Sequence, residues 1–196
     1  MTGLIENYLA SIPGGIDGYP ECMHKGEPLG VWLAGSPLAG LSERVPAPVA
    51  ELLREPTNLP VWVPEVHATV IYLAMREVHF VTDAAFLQHA ENVNRGVLET
   101  PLNRFLFWVA SPRAILRGGS VRWGSLHKGS TIEIRKLLED SARLTLRFPP
   151  NLLPEIIALG NGTGFKVALE ASGAHDVHIT MRSFDSTHAT FESHWR

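Results

Sequence analysis

From Ser141 onward the apolar residues stop recurring every third or fourth position and begin to alternate, and this change of period limits the folds open to the chain. In residues 141–148, Leu144, Leu146 and Phe148 fall on one side and Arg143, Thr145 and Arg147 on the other, the pattern of a half-buried strand. The runs GFKVALEA (164–171), AHDVHITMR (174–182) and THATFESHW (187–195) repeat it, parted by the turn-like SG and SFDS, so three further strands are expected in an antiparallel meander. NLLPEIIALG (151–160) between them reads as a short helix. The glycines of GNGTGF (160–165) precede an alternating run, which predicts a strand rather than a helix after them, so a turn and not a nucleotide fingerprint is expected.

Before Ser141 the spacing is helical and punctuated by Pro37, Pro46, Pro48, Pro56, Pro60 and Pro64. Helices are expected over 48–54, over 64–77 with Val66, Val70, Ile71, Leu73 and Ala74 inward, and over 83–97 with Thr82 as N-cap and Phe86, Ala90, Val93 and Val97 on one face. Leu102, Phe105, Leu106 and Val109 predict another, buried helix over 101–110. The fold class is therefore α+β, with N-terminal helices packed on a C-terminal antiparallel sheet. A single domain over 1–196 is expected, helical to about residue 135, with the strand-helix-meander part over 141–196.

At 196 residues and 45% apolar content the chain can bury one sizeable core. Its 17 basic and 20 acidic residues leave a net charge of −3, which provides no field to draw nucleic acid or an anionic membrane. The longest apolar run, Phe105 to Ala110, is far too short for a membrane span, and MTGLIENYLASIPGG lacks a basic leader region. Cys22 is the single cysteine, which excludes an internal disulfide and a multi-cysteine metal site. A cytoplasmic location is the expectation.

Chemistry is harder to place. In FLFWVASPRAILRGGSVRWGSLHKGS (105–130), Lys128 precedes Gly129, so the order Gly-Lys-Ser of a phosphate loop is absent. Ser111 is suited to cap a helix, Pro112 to occupy its first turn and Gly118-Gly119 to interrupt it, while Arg113 offers a bidentate fork to a carboxylate ligand or to a buried acidic side chain. On the 83–97 helix, His89 borders the apolar face, where it either reaches an interior cavity, as an axial haem ligand would, or packs on its neighbours. Strand phase puts His178, His188, Glu192 and His194 on one polar sheet face. Three imidazoles and a carboxylate suit a divalent metal, but Arg182 on the same face repels one, and a solvated polar face is the simpler reading. No nucleophile elbow occurs, and Cys22 lies too near His24 in sequence for the spatial pairing that hydrolases use, so no enzyme is expected.

FWVASPRAILRGGSVRWGSLHKGSTIEI, KGEPLGVWL and SFDSTHATFESHW resemble an uncharacterised family of single-domain myxobacterial proteins over most of residues 24–195. That family is distantly similar to the ligand-binding superfamily of NO signalling and Golgi transport, which includes haem NO-binding sensors, 4-vinyl reductase domains and transport-complex subunits with a lipid-lined tunnel. The resemblance implies helices packed on an antiparallel sheet, often as a dimer. It also implies that Ser111 and Arg113 match the last two positions of a Tyr-X-Ser-X-Arg motif that grips haem propionates, with Val109 where tyrosine is expected; the missing hydroxyl weighs against haem. The leading expectation is a non-enzymatic sensory or regulatory module for a small apolar ligand or a protein partner. A haem-based gas sensor using His89 and Arg113, and a metal-dependent enzyme using the C-terminal histidines, are the alternatives. Trp32, Leu33, Trp62, Val63, Phe105 and Trp108 are a large apolar load, from which a homodimer is expected.

Overall fold

A computed structural model describes residues 3–98 and 111–196. Helices α1 (Leu4–Ser11), α2 (Gly26–Ala34), α3 (Ala47–Arg54), α4 (Glu65–His79) and α5 (Asp83–Leu98) form the N-terminal half, with the short strands β1 (Met23–Lys25) and β2 (Trp62–Pro64) set between them. Helix α4 is its axis: Val66, Ala68, Val70, Ile71 and Ala74 have no exposed surface, because α1 and α3 pack against it. Glu65 in its first turn and Arg76 and His79 in its last complement the helix dipole. Helix α5 starts where the sequence predicts, with Thr82 Oγ1 accepting from the Ala85 N–H at 3.2 Å, and it turns Phe86 and Ala90 inward.

The chain then enters α6 (Pro112–Arg117), which is capped by Ser111 Oγ accepting from the Ala114 N–H at 3.3 Å and carries Pro112 in its first turn. Gly118 ends it, and α7 (Gly119–Leu126) leads directly into β3 (His127–Lys128). Strands β4 (Thr131–Leu137) and β5 (Ser141–Arg147), helix α8 (Glu155–Ala171) and strands β6 (His178–Phe184) and β7 (His188–His194) complete the fold. Two antiparallel sheets result, a small one ordered β2-β1-β3 and a larger one ordered β4-β5-β7-β6. The α+β class read from the sequence holds.

Strand phase in the large sheet is as expected. Leu144 pairs with Phe191 and Leu146 with Ala189 on the face that meets the helices. On the other face Glu192 receives Arg143 at 3.1 Å and Arg182 at 2.8 Å. Residues 164–171, however, are not a strand; they are the second half of α8, and the meander has two strands rather than three. Ile157, Ala158, Gly162 and Leu169 form the buried stripe of this helix. At Gly162, which the sequence reading assigned to a turn, a Cβ would stand 3.0 Å from Cε1 of Phe191, a tight contact, so glycine favours the close seating of helix on sheet. Residues 131–135, expected within the helical part, begin β4 instead. The helix expected over 101–110 lies outside the described residues.

Among the described residues, three of the four apolar side chains from which a dimer was expected are spent inside. Trp32, Leu33 and Val63 are buried, and half-buried Trp62 lies under Lys128, whose Nζ stands 4.1 Å from the ring centroid; Phe105 and Trp108 lie outside the described residues. The two halves are tied by hydrogen bonds from Tyr8 to the Leu152 carbonyl at 2.9 Å, from Tyr19 to the Pro150 carbonyl at 2.9 Å and from Asn151 to the Ser11 carbonyl at 3.1 Å. Among the described residues no helix is long and apolar enough to cross a membrane.

Candidate functional site

The small sheet brings together three residues far apart in sequence. His24 at the centre of β1 is the direct pairing partner of His127 in β3, and Glu65 follows β2 as the first residue of α4, where its N–H donates to the Cys22 carbonyl at 2.9 Å. One donor atom from each of His24, Glu65 and His127 lies within 4.8 Å of the other two, and all three side chains are buried. It is the one His/Cys/Asp/Glu cluster with metal-ligand spacing among the described residues.

Each side chain is held by its surroundings. The Lys25 carbonyl, 2.8 Å from His24 Nδ1, can only accept, so Nδ1 carries the proton and Nε2 the lone pair; the Tyr72 hydroxyl stands 3.3 Å from Nε2 and donates to it. His127 stacks on Trp123 at 3.9 Å between centroids and 10° between planes, and its Nδ1–H donates to Glu65 Oε2 at 3.0 Å. Trp123 is itself fixed by a 3.0 Å bond from Nε1 to Ser130 Oγ. The His24 and His127 rings meet edge to face at 4.8 Å.

The electrostatics follow from burial. Desolvation pushes the His24 imidazole down to about 4 despite the nearby Glu65 charge, so it is neutral at pH 7. Burial opposes ionisation of Glu65, but the charge and hydrogen bond of His127, together with His24, outweigh it and hold the carboxyl below its usual range. Burial pushes the Cys22 thiol, two residues from His24, up to about 11 and leaves it neutral. Two imidazoles and one carboxylate, all buried, form a donor set that can share a proton or hold a cation.

The sequence reading missed this cluster, weighing His24 only as a partner for Cys22. One signal was available: the tripeptide His-Lys-Gly occurs at 24–26 and again at 127–129, and the two histidines are the ones that meet. The C-terminal histidines do not gather. His178 and His194 are exposed register partners, His188 pairs its Nδ1 with Asp185 at 2.9 Å, and Glu192 is taken by its two arginines. His89 sits between Trp32 and Phe80, with ring centroids 5.4 and 5.0 Å away, and its Nε2 is 2.7 Å from Ser36 Oγ. Ser111 spends its hydroxyl on capping α6, and Arg113 is exposed.

An open groove of about 500 Å³ runs between α1 and the start of α8, floored by Tyr8, Leu73, Leu153 and Ile156 and bounded by Phe184. No protein-family model and no curated protein sequence matches the chain. Solved structures do. The Fe(II) unliganded H-NOX protein from K. algicida superposes with a TM-score of 0.58 over 88% of this chain and 96% of its own, at 9% identity. The I5F mutant of the T. tengcongensis H-NOX gives 0.55 over 88% and 97% at 10% identity. An oxygen-binding H-NOX domain related to soluble guanylate cyclases gives 0.55 over 88% and 95%, also at 10%. The chain has an H-NOX-like fold.

Proposed function

We propose that this chain is a non-enzymatic sensory module that responds to a small ligand. The observation that carries this reading is the extent of the likeness: 88% of the chain, helical half and sheet together, follows the oxygen-binding H-NOX domain. A shared fold alone does not transfer a ligand. The form we favour binds an apolar molecule in the groove between α1 and α8, where Tyr8 and Leu73 from one half face Ile156 and Phe184 from the other. A ligand there would bear on the contact between the halves.

Fe(II), heme and oxygen belong to the similar H-NOX proteins, and they support the second reading, a haem-based gas sensor, more directly than the first. Haem would supply an iron able to take up a diatomic gas. The described residues around His89 do not fit it: the Nε2 that an axial ligand normally presents is engaged by Ser36, and two aromatic rings flank the imidazole. Native mass spectrometry of the purified chain, followed by titration with haemin, separates the two. We expect a retained small molecule and no stoichiometric Soret band; a 1:1 Soret band abolished in His89→Ala would establish the haem reading in its place. A chain that carries nothing and binds neither haemin nor apolar probes would remove both.

A further inference from the structure

His24, Glu65 and His127 do more than satisfy one another. A buried His127–Glu65 pair accounts for two of them, and by itself such a pair is a poor source of stability, because desolvation offsets most of the attraction. It leaves unexplained why a second imidazole, whose Nε2 lone pair meets only the Tyr72 hydroxyl at 3.3 Å, is set edge to face against the first in the same buried space. The geometry points to a site for one divalent transition-metal ion of the zinc class, ligated by the imidazoles of His24 and His127 and the carboxylate of Glu65.

The chemistry of the donors agrees. Two imidazoles and one carboxylate, with positions left for water or a hydroxyl, form a recurrent zinc donor set, and Tyr72 brings a hydroxyl to the same place. Tetrahedral ligands about 2.1 Å from an ion stand roughly 3.4 Å apart, so donors already within 4.8 Å of one another need only small side-chain rotations to close on it. Outer partners orient the ligands: the Lys25 carbonyl holds His24 by Nδ1, and the Trp123 ring holds His127 in plane. The two neighbouring cations are engaged elsewhere, Lys128 over Trp62 and Lys25 at 3.9 Å from Glu27. On binding, the ion takes the place of the proton between His127 Nδ1 and Glu65: His127 ligates as a neutral imidazole with its proton on Nε2, any second imidazole proton goes to solvent, and the carboxylate keeps one negative charge against the ion. The ion would cross-link β1, the head of α4 and the segment that feeds the large sheet, which makes occupancy a property of the whole fold. This inference is independent of the groove ligand and of haem.

The test uses the full chain, stripped with a chelator and refolded with or without Zn²⁺ or Co²⁺ so that slow entry into a buried site does not limit loading. We expect one ion per chain, a higher thermal midpoint with Zn²⁺, and a Co²⁺ complex with the intense visible bands of low coordination number. Glu65→Gln and His127→Gln, each checked for native circular dichroism, should weaken Zn²⁺ binding by about 100-fold or more, beyond what loss of an outer partner causes. His194→Ala, on the sheet surface, should leave it unchanged. If refolded wild type takes up no Zn²⁺ or Co²⁺ at micromolar concentration, or if folded Glu65→Gln binds as tightly as wild type, the site does not exist. Loss of binding in His194→Ala would overturn it equally, by moving the ion to the sheet. A failure here leaves the groove reading standing, since native mass spectrometry scores that separately.

Discussion

His24 and His127 are direct partners across β1 and β3, and their rings meet edge to face at 4.8 Å inside the protein. Burial of His24 in this contact makes the stability of the chain depend on pH.

In chelator-treated protein, His24 sets the main acid limit. Its folded value is about 4 against an ordinary 6.5, so between those values the unfolded state binds a proton that the folded state refuses. Stability is therefore complete above about pH 6.5 and falls as pH drops toward 4, by on the order of 3 kcal/mol. His67 and His89, also lowered by burial, add to the slope. Urea midpoints at pH 7.0, 5.5 and 4.5 should converge for wild type and His24→Gln as pH falls; parallel curves would show that His24 does not titrate in this way.

The glycines of α8 should respond in opposite directions. A Cβ at Gly160 meets nothing within 4 Å, so Gly160→Ala should stabilise by about 0.5–1 kcal/mol through helix propensity. At Gly162 the same methyl presses on Phe191, and Gly162→Ala should cost about 1–3 kcal/mol. Thermal melts of the two variants check this, and a gain in both would mean that helix and sheet are not tightly seated.

Phe191→Ala should lose about 3–5 kcal/mol, because the residue is 1% exposed, packed against Gly162 and Phe165 of α8. His178→Ala, exposed on the polar face, should stay within about 0.5 kcal/mol of wild type. Chemical denaturation of both variants reads the phase of the sheet directly.

At the head of α6, Ser111→Ala should cost about 1 kcal/mol by removing the cap on Ala114. Arg113 is exposed, so Arg113→Lys should leave the midpoint within the shift expected of about 0.5 kcal/mol. If a small molecule retained by wild type were lost from an equally stable Arg113→Lys variant, the arginine would be an anion clamp after all.

Legibility in the sequence followed how plainly each element shows its period. Residues 141–147, α4 and α5 carry enough turns or alternations for their period to show, and the caps at Thr82 and Ser111 are local chemistry that the sequence displays outright. Helix α8 was misread because Phe165, Val167 and Leu169 alternate by chance and because the glycines before them look like a turn, although Gly162 among them seats the helix on Phe191. The His–Glu–His cluster was not legible at all from period, since β1 and β2 have three residues each and β3 two, too few to alternate. What joins them is backbone pairing over long separations, which a linear pattern does not contain.

The same separation sets an order of events during synthesis. The small sheet takes its strands from residues 23–25, 62–64 and 127–128, so β1 and β2 can pair while the chain is still being made, but His24 gains its partner only after about a hundred further residues have been added. Until His127 emerges from the ribosome, the nascent chain carries His24 and Glu65 without the third member, and the first half waits with one edge of its sheet open. Arrival of β3 closes that edge immediately before β4 begins, so the N-terminal half is sealed by the first strand of the half that follows it.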